Sequence, residues 1–289
     1  MRFVKTLFLG LALGAFLSGC SSLSPANGSG KGVPGEHMET PVSEETIYIY
    51  RSEKVSVSLI DDHTPMRYAF YQWNLITDDI AYSNNDLILT GFASNIRQVN
   101  VDYVFMDANV TDSMTLFDMN VSAVLASRSA SYQTGDVITV GVGYNLEKYG
   151  EGLPIIQDGK SYLLFCSTAD RIDQNTNGLL ELSEYVDCWI STPKDLLVER
   201  VGNHYLAIDY FSDVPGAPSF PESLGITEDQ IALLDSVSMD DDERNALQVL
   251  RGRSASQSNI WDLISRAYLC PCDALEEYVK DKASSYFQP

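Results

Sequence analysis

The sequence predicts a mainly β protein, an antiparallel barrel or sandwich, followed by an α-helical C-terminal subdomain. Two observations predict this. Between residues 46 and 208, short runs rich in Val, Ile, Tyr, Phe and Thr recur, separated by Asn-Asn, Gly-Asp and Asp-Gly turns, the texture of paired antiparallel strands. From Pro221 onward, helix-starting residues and apolar stripes at helical spacing take over. Roughly 245 residues follow the N-terminal segments, enough for one large domain or two modest ones.

The chain divides into residues 1–19, 20–44, 45–220 and 221–289. Arg2 and Lys5 precede an apolar stretch from Thr6 to Phe16, an export signal whose core is too short to remain as a membrane-spanning helix. Leu17-Ser18-Gly19-Cys20 follows and resembles a bacterial lipobox. The resemblance implies cleavage before Cys20, acylation of its thiol and new amine (palmitate among the acyl groups), and a lipid-anchored protein of the cell envelope facing the extracytoplasmic side. Residues 20–44 then form a Ser-, Gly- and Pro-rich tether that lacks the apolar surface to order itself. The net charge of −21 excludes nucleic acid as a partner and repels an anionic lipid surface, so the membrane contact falls to the lipid.

Within 45–220 the predicted strands are 46–59, 86–92, 99–105, 116–124, 137–142, 162–166 and 205–208. Three segments, Asp86 to Gly91, Gly135 to Val140 and Asp158 to Phe165, resemble a secreted bacterial OB-like barrel related to netrin and metalloproteinase-inhibitor domains. The resemblance covers about residues 84–168 and implies an OB-like fold. Metalloproteinase inhibitors work through an N-terminal cysteine placed against the barrel; here the lipobox resemblance implies that Cys20 is lipidated and set apart by the tether, which argues against inhibition. In 221–289, Thr227 to Gln230 forms a capping box ahead of Ile231 and Leu234. Ser238 starts a second helix with Gly252 as its stop, Trp261 to Ala267 make a third, and Pro271 opens a fourth running to Tyr286.

The sharpest chemical signal lies at residues 173–184, Asp-Gln-Asn-Thr-Asn-Gly-Leu-Leu-Glu-Leu-Ser-Glu. Oxygen-bearing side chains fall at positions 1, 3, 5, 9 and 12 with Gly at 6, the spacing a calcium ion needs to gather six to eight oxygens from a twelve-residue loop. The segment resembles an EF-hand loop. The resemblance assigns Asp173, Asn175 and Asn177 as side-chain ligands, Leu179 as a carbonyl ligand, Glu181 as a direct or water-mediated ligand and Glu184 as the bidentate carboxylate. Gly178 supplies the left-handed turn and Leu180 points into the core. An Asn-rich turn without an ion is the bland alternative. Upstream, Ser161 to Cys166 has strand length, and downstream Pro193 cuts the exit short, so the loop is expected as a graft on another fold.

Besides Cys20, four cysteines remain, Cys166, Cys188, Cys270 and Cys272, which allow three disulfide connectivities that the sequence leaves open. Cys166 and Cys188 bracket the loop; a bond between them closes a ring of about 23 residues, worth about 3 kcal/mol by chain entropy. Cys270 and Cys272 stand one residue apart, a strained and reducible spacing. The histidines, His37, His63 and His204, form no zinc-protease motif, and no nucleophile elbow occurs. The expected function is therefore non-enzymatic: a calcium-binding surface lipoprotein in which the ion stabilises the fold. The alternatives are a binding module for an extracellular protein or glycan, and a hydrolase or redox protein with a dispersed site.

Overall fold

Alternation sets the first half of the chain. The computed structural model describes residues 46–60, 76–128, 132–143, 154–254 and 260–287; the export signal, Cys20, the tether, His37 and His63 lie outside the described residues. From Ile47 onward these belong to one unit. Strands β1 (Tyr48–Arg51) and β2 (Val55–Leu59) form a hairpin where the sequence suggested one run over 46–59. After helix α1 (Asp78–Ser83) come two long strands, β3 (Leu87–Phe105) and β4 (Ala108–Ser127). Along β3 the buried Val99, Val101 and Tyr103 alternate with Asn100, Asp102 and Val104, which are not buried, the period of a strand with one face covered. Met106 and Asp107, both with positive φ, make the tight turn that matches the twist of the two strands.

The predicted strands 86–92 and 99–105 are thus one strand. Its register against β4 shifts between Ser94 and Arg97, where Asn95 adopts φ 51, and this bulge bends β3 without ending it. The bend gives β3 two neighbours on one edge: β2 beside residues 99–103 and β6 (Ser161–Thr168) beside residues 87–92. β5 (Val137–Val142) has the predicted bounds. The β-part is a mixed sheet and not purely antiparallel, because β5 and the short β7 (Cys188–Ile190) run parallel while the other pairs are antiparallel. The pairings β3–β4, β4–β5, β5–β7, β7–β6 and β6–β3 return to their starting strand. β1 and β2 extend from one side, and β8 (Leu197–Val201), β9 (His204–Ile208) and β10 (Ala267–Pro271) from the other.

Several short helices lie between these strands: α2 (Ala169–Thr176) and α3 (Pro193–Leu196) before β8, then α4 (Phe220–Leu224), a 3-10 stretch Glu228–Ser236, α5 (Asp241–Arg253), α6 (Ile260–Ser265) and finally α7 (Cys272–Tyr286). The capping box at Thr227 and Gln230 forms. α5 begins after Asp240, whose carboxylate accepts from Glu243 N–H at 2.8 Å, and it continues through Gly252, the expected stop, to Arg253. The third predicted helix ends at Ser265, and Ala267–Pro271 instead pairs with β9. An available sheet edge overrides local preference there.

Among the described residues three apolar clusters hold the unit. Leu275, Val279 and Ala283 of α7 pack on Phe165 and Tyr205 of the sheet. Helices α4 to α6 cover Leu206, Ile208 and Leu269. The third cluster joins Val57, Val99, Val101 and Met114 to Leu182 and Val186.

Candidate metal centre

Residues 173–184 occupy the connection between β6 and β7. The apolar members of that connection build the third cluster: Leu182 and Val186 are buried in it, and Ile172, Leu179, Leu180 and Tyr185 pack against it half-buried. The connection therefore roofs the arm formed by β2, β3 and β4, and its polar members are carried on that roof.

Positions 1 to 4 of the loop are the last turn of α2. The carbonyl of Asp173 accepts from Gly178 N–H at 2.8 Å, and the helix ends with Asn177 at φ 54 and Gly178 at φ +66, a left-handed stop that Gly adopts without a Cβ penalty. The Asp173 carboxylate crosses the loop. It accepts from Leu182 N–H at 3.0 Å, Ser183 N–H at 2.8 Å and the Ser183 hydroxyl at 2.7 Å, so position 1 meets positions 10 and 11 beside Glu184. Glu181 has φ 49 and leads into a 3-10 turn, Leu182–Glu184, that runs on towards β7. A 3-10 turn and a strand stand where an EF-hand has its exiting helix.

Two residues that spacing did not single out complete the surroundings. The Tyr50 hydroxyl donates to the Glu181 carboxylate at 2.9 Å, and the Tyr50 ring stacks on Tyr185 with centroids 5.5 Å apart. The Glu181 hydrogen bond is the main reason the Tyr50 phenol lies above its ordinary value, with further push from Glu184. Tyr185 is raised chiefly by burial and then by Asp173 and Glu181. The carboxylates of Asp173, Glu181 and Glu184 thus act on one aromatic pair. Asn175, exposed and two residues from Asp173 on a helix, faces away from it, because a helix turns about 200° over two residues.

The donor types suit a hard cation, with three carboxylates and two amides in the ring. The conformation does not gather them, however: among the described residues no group of three or more His, Cys, Asp or Glu side chains is arranged to hold a metal ion. Asp173 is engaged with the backbone and Glu181 with Tyr50. Ligation at positions 1, 3 and 5 requires the last turn of α2 to unwind.

Beside the loop lies a cleft of about 860 Å³ lined by Asp86, Arg128, Thr168, Arg171 and Asp187 among others. Its cations serve helix ends. Arg128 donates to the carbonyls of Tyr82 at 2.8 Å and Tyr286 at 3.0 Å, and Arg171 to that of Ser83 at 2.9 Å, where α1 and α7 end and positive charge complements the helix dipole. The Tyr132 phenol at its rim is pushed up to about 12, first by burial and then by Asp187.

The cysteines fall into two places. Cys166 and Cys188 are neighbours on β6 and β7, and Cys188 is held well above the ordinary thiol range first by its hydrogen bond with Cys166 and then by burial. Cys270 and Cys272 belong to the cluster under α7. Burial raises Cys270 to about 12 and Cys272 to about 11, the reverse of the thiolate a redox or nucleophilic cysteine needs. His204 Nδ1 lies 2.8 Å from Asp242 Oδ2, and Asn203 N–H donates to the same oxygen at 3.0 Å, so this pair fixes the β8–β9 turn to α5.

No protein-family model matches the chain, and no curated protein matches it in sequence. No helix among the described residues is long and apolar enough to cross a membrane.

Proposed function

We propose that this is a lipid-anchored, extracytoplasmic calcium-binding protein in which the ion stiffens the β6–β7 connection over the β2–β4 arm. The observation that carries the reading is the donor spacing from Asp173 to Glu184, set in a connection whose apolar side chains already complete a core cluster. Asp173, Asn175 and Asn177 supply side-chain oxygens once the last turn of α2 unwinds, Leu179 supplies its carbonyl, and Glu181 and Glu184 supply carboxylates. Three charged ligands and an extracellular setting correspond to millimolar affinity. The five strands whose pairings return to β3 match the strand number of an OB-like barrel, which supports that fold for the β part. The reading is non-enzymatic, and Cys20 carries the membrane attachment.

A second reading, a binding module for an extracellular protein or glycan, is favoured by exposed apolar groups on the arm. Met106 at the β3–β4 turn is 78% exposed and Ile47 ahead of β1 is 62% exposed, apolar side chains that a partner could cover.

Titration calorimetry on residues 21–289 tests the first reading. Heat with calcium that magnesium does not reproduce is expected, since magnesium demands a smaller octahedral site; no heat, or an equal response to both ions, rejects it. Cys20→Ala is expected to move the protein from the membrane to the soluble fraction. A variant that stays with membranes through a carbonate wash overturns the anchor.

A further inference from the structure

We propose that Cys166 and Cys188 form a disulfide that staples β6 to β7 across the neck of the loop, and that this bond forms before the sheet closes over it. The inference stands on residues outside the metal ligands and shares only the export to an oxidising compartment with the preceding reading.

Register brings the two sulfurs together. The β6–β7 ladder pairs Thr168 with Cys188 and Ser167 with Trp189. Cys166 lies two residues before Thr168, so it shares a sheet face with Cys188 and is its diagonal neighbour; the bond draws the two backbones within disulfide reach, which the three-residue β7 permits while the sheet is forming. Both thiols are free and fully buried in the structure, and Cys166 is the strongest influence on the Cys188 thiol. Cys270 is held elsewhere: it pairs across the ladder with Tyr205, its thiol lies 3.9 Å from the Phe211 carbonyl, and with Cys272 it packs in the cluster under α7. Of the three connectivities, one therefore joins cysteines that share a face of one strand pair.

The seam being stapled is a weak one. β7 is three residues long and shares two residue pairs with β6, yet the connection that leaves and re-enters at this seam carries the whole metal loop. A covalent bond there fixes both ends of the loop without an ion, so the donors are spared the loop-closure entropy that an open chain loses on gathering around a cation.

The chemistry needs an oxidant of the disulfide class. One cysteine thiolate attacks a sulfur of the oxidant's disulfide, a mixed disulfide forms and the oxidant's first thiolate leaves. The second cysteine, deprotonated, attacks the cysteine sulfur of that mixed disulfide, forming the Cys166–Cys188 bond and releasing the second thiolate. Two electrons and two protons pass from the pair to the oxidant, which ends as thiols. Both cysteines are fully buried in the folded chain, where neither an oxidant nor a hydroxide reaches them. The exchange therefore belongs to folding, and the finished bond resists reduction for the same reason.

The test refolds the reduced, denatured full chain with oxidised glutathione, blocks remaining thiols without a reductant and maps the peptides by mass. The expected product links the peptides of Cys166 and Cys188. Both cysteines blocked in a folded, protease-resistant product overturns the inference, as does a bond from either to Cys270 or Cys272. In melting experiments reductant present throughout refolding is expected to lower the wild-type Tm by on the order of 10 °C. The shift should persist in C270S/C272S and vanish in C166S/C188S, and an equal shift in C166S/C188S rejects the staple. The bond in the refolded chain upholds the pairing even where the chain is not exported, so this inference and the membrane reading fail separately.

Discussion

The Tyr50 hydroxyl donates to the Glu181 carboxylate at 2.9 Å across 131 residues of chain, joining the first strand to position 9 of the candidate metal loop. β1 is an edge strand with β2 as its sheet neighbour, and its register is broken between Tyr48 and Tyr50. The loop supplies what the ladder lacks there: Glu181 holds the Tyr50 hydroxyl, and Tyr185 stacks on its ring.

Tyr50→Phe separates these two effects, since it keeps the ring and removes the hydroxyl. If Glu181 serves the ion, the hydrogen bond competes with calcium, and the variant should bind calcium a few-fold more tightly while its metal-free form melts slightly lower. Calorimetry and thermal melting in the presence of a chelator measure the two. Unchanged or weaker calcium binding means that Glu181 belongs to Tyr50 alone.

Glu184→Gln addresses the ion's role. A ligand that binds only the native state adds RT ln(1 + [L]/Kd), about 2.7 kcal/mol at a hundredfold excess over Kd. The variant should lose this gain. Its metal-free melting temperature should stay near that of the wild type, because Glu184 is exposed and its place in the 3-10 turn rests on backbone bonds. Calcium that leaves the wild-type Tm unmoved while changing affinity for a partner makes the loop regulatory.

The left-handed turn at Gly178 was legible in the sequence because it is local, a glycine after a run of Asn and Thr. The bounds of β5 were legible for the same reason, in an alternating run next to a Gly-Asp turn. What could not be read is non-local. Nothing near Tyr50 in the chain announces Glu181, and Ser183 at position 11 gives no sign that its N–H and hydroxyl will occupy Asp173. The sequence split β3 at the mostly polar stretch Ser94 to Gln98 because a bulge and a strand end share composition; only pairing with β4 tells them apart. β10 was missed because its first residue, Ala267, closes the third predicted helix and its last, Pro271, opens the fourth, and the edge of β9 decided otherwise. The parallel β5–β7 pair needed knowledge of which distant strands meet.

The buried ion pair between Arg253 and Glu199 gives a prediction for the packing of α5 on the sheet. Their separation is 3.5 Å with both side chains almost wholly buried, and Lys160 reaches the other Glu199 oxygen at 3.9 Å. Burial, outweighing the attraction of Arg253 and Lys160, raises the Glu199 carboxyl above its ordinary value, and burial likewise lowers Arg253. Both shifts say that desolvation exceeds the mutual attraction, so the pair is costly to split and not costly to replace. Glu199→Leu alone should destabilise by about 3–5 kcal/mol, and Glu199→Leu with Arg253→Met should recover most of that loss. Denaturant unfolding of the single and double variants measures it; a double variant as weak as the single one makes the pair a net stabiliser.

The last prediction concerns the lock on the C-terminal helix. Asp78 of α1 accepts from Lys282 of α7 at 2.6 Å and from the Tyr210 hydroxyl at 2.8 Å. The Lys282 hydrogen bond is the largest influence on Asp78 and, with Tyr210, outweighs the opposing effect of burial, so its carboxyl sits below the ordinary value of 3.8. A carboxyl depressed in the folded state contributes stability that is present above its unfolded value and is lost as pH falls through the folded one. Lys282 is raised above 10.5 by the same contact, so the contribution is complete between about pH 4 and pH 10 and fades on either side. Both side chains are about one-third exposed, and solvent screening limits the pair to about 1 kcal/mol. Asp78→Asn should therefore lower the melting temperature by about 2–4 °C at pH 7. The gap to the wild type should narrow as the pH is brought below 3, where the wild-type carboxyl takes up its proton. A gap that is constant from pH 7 to pH 2.5 assigns the loss to packing of α7 and not to the charge on Asp78.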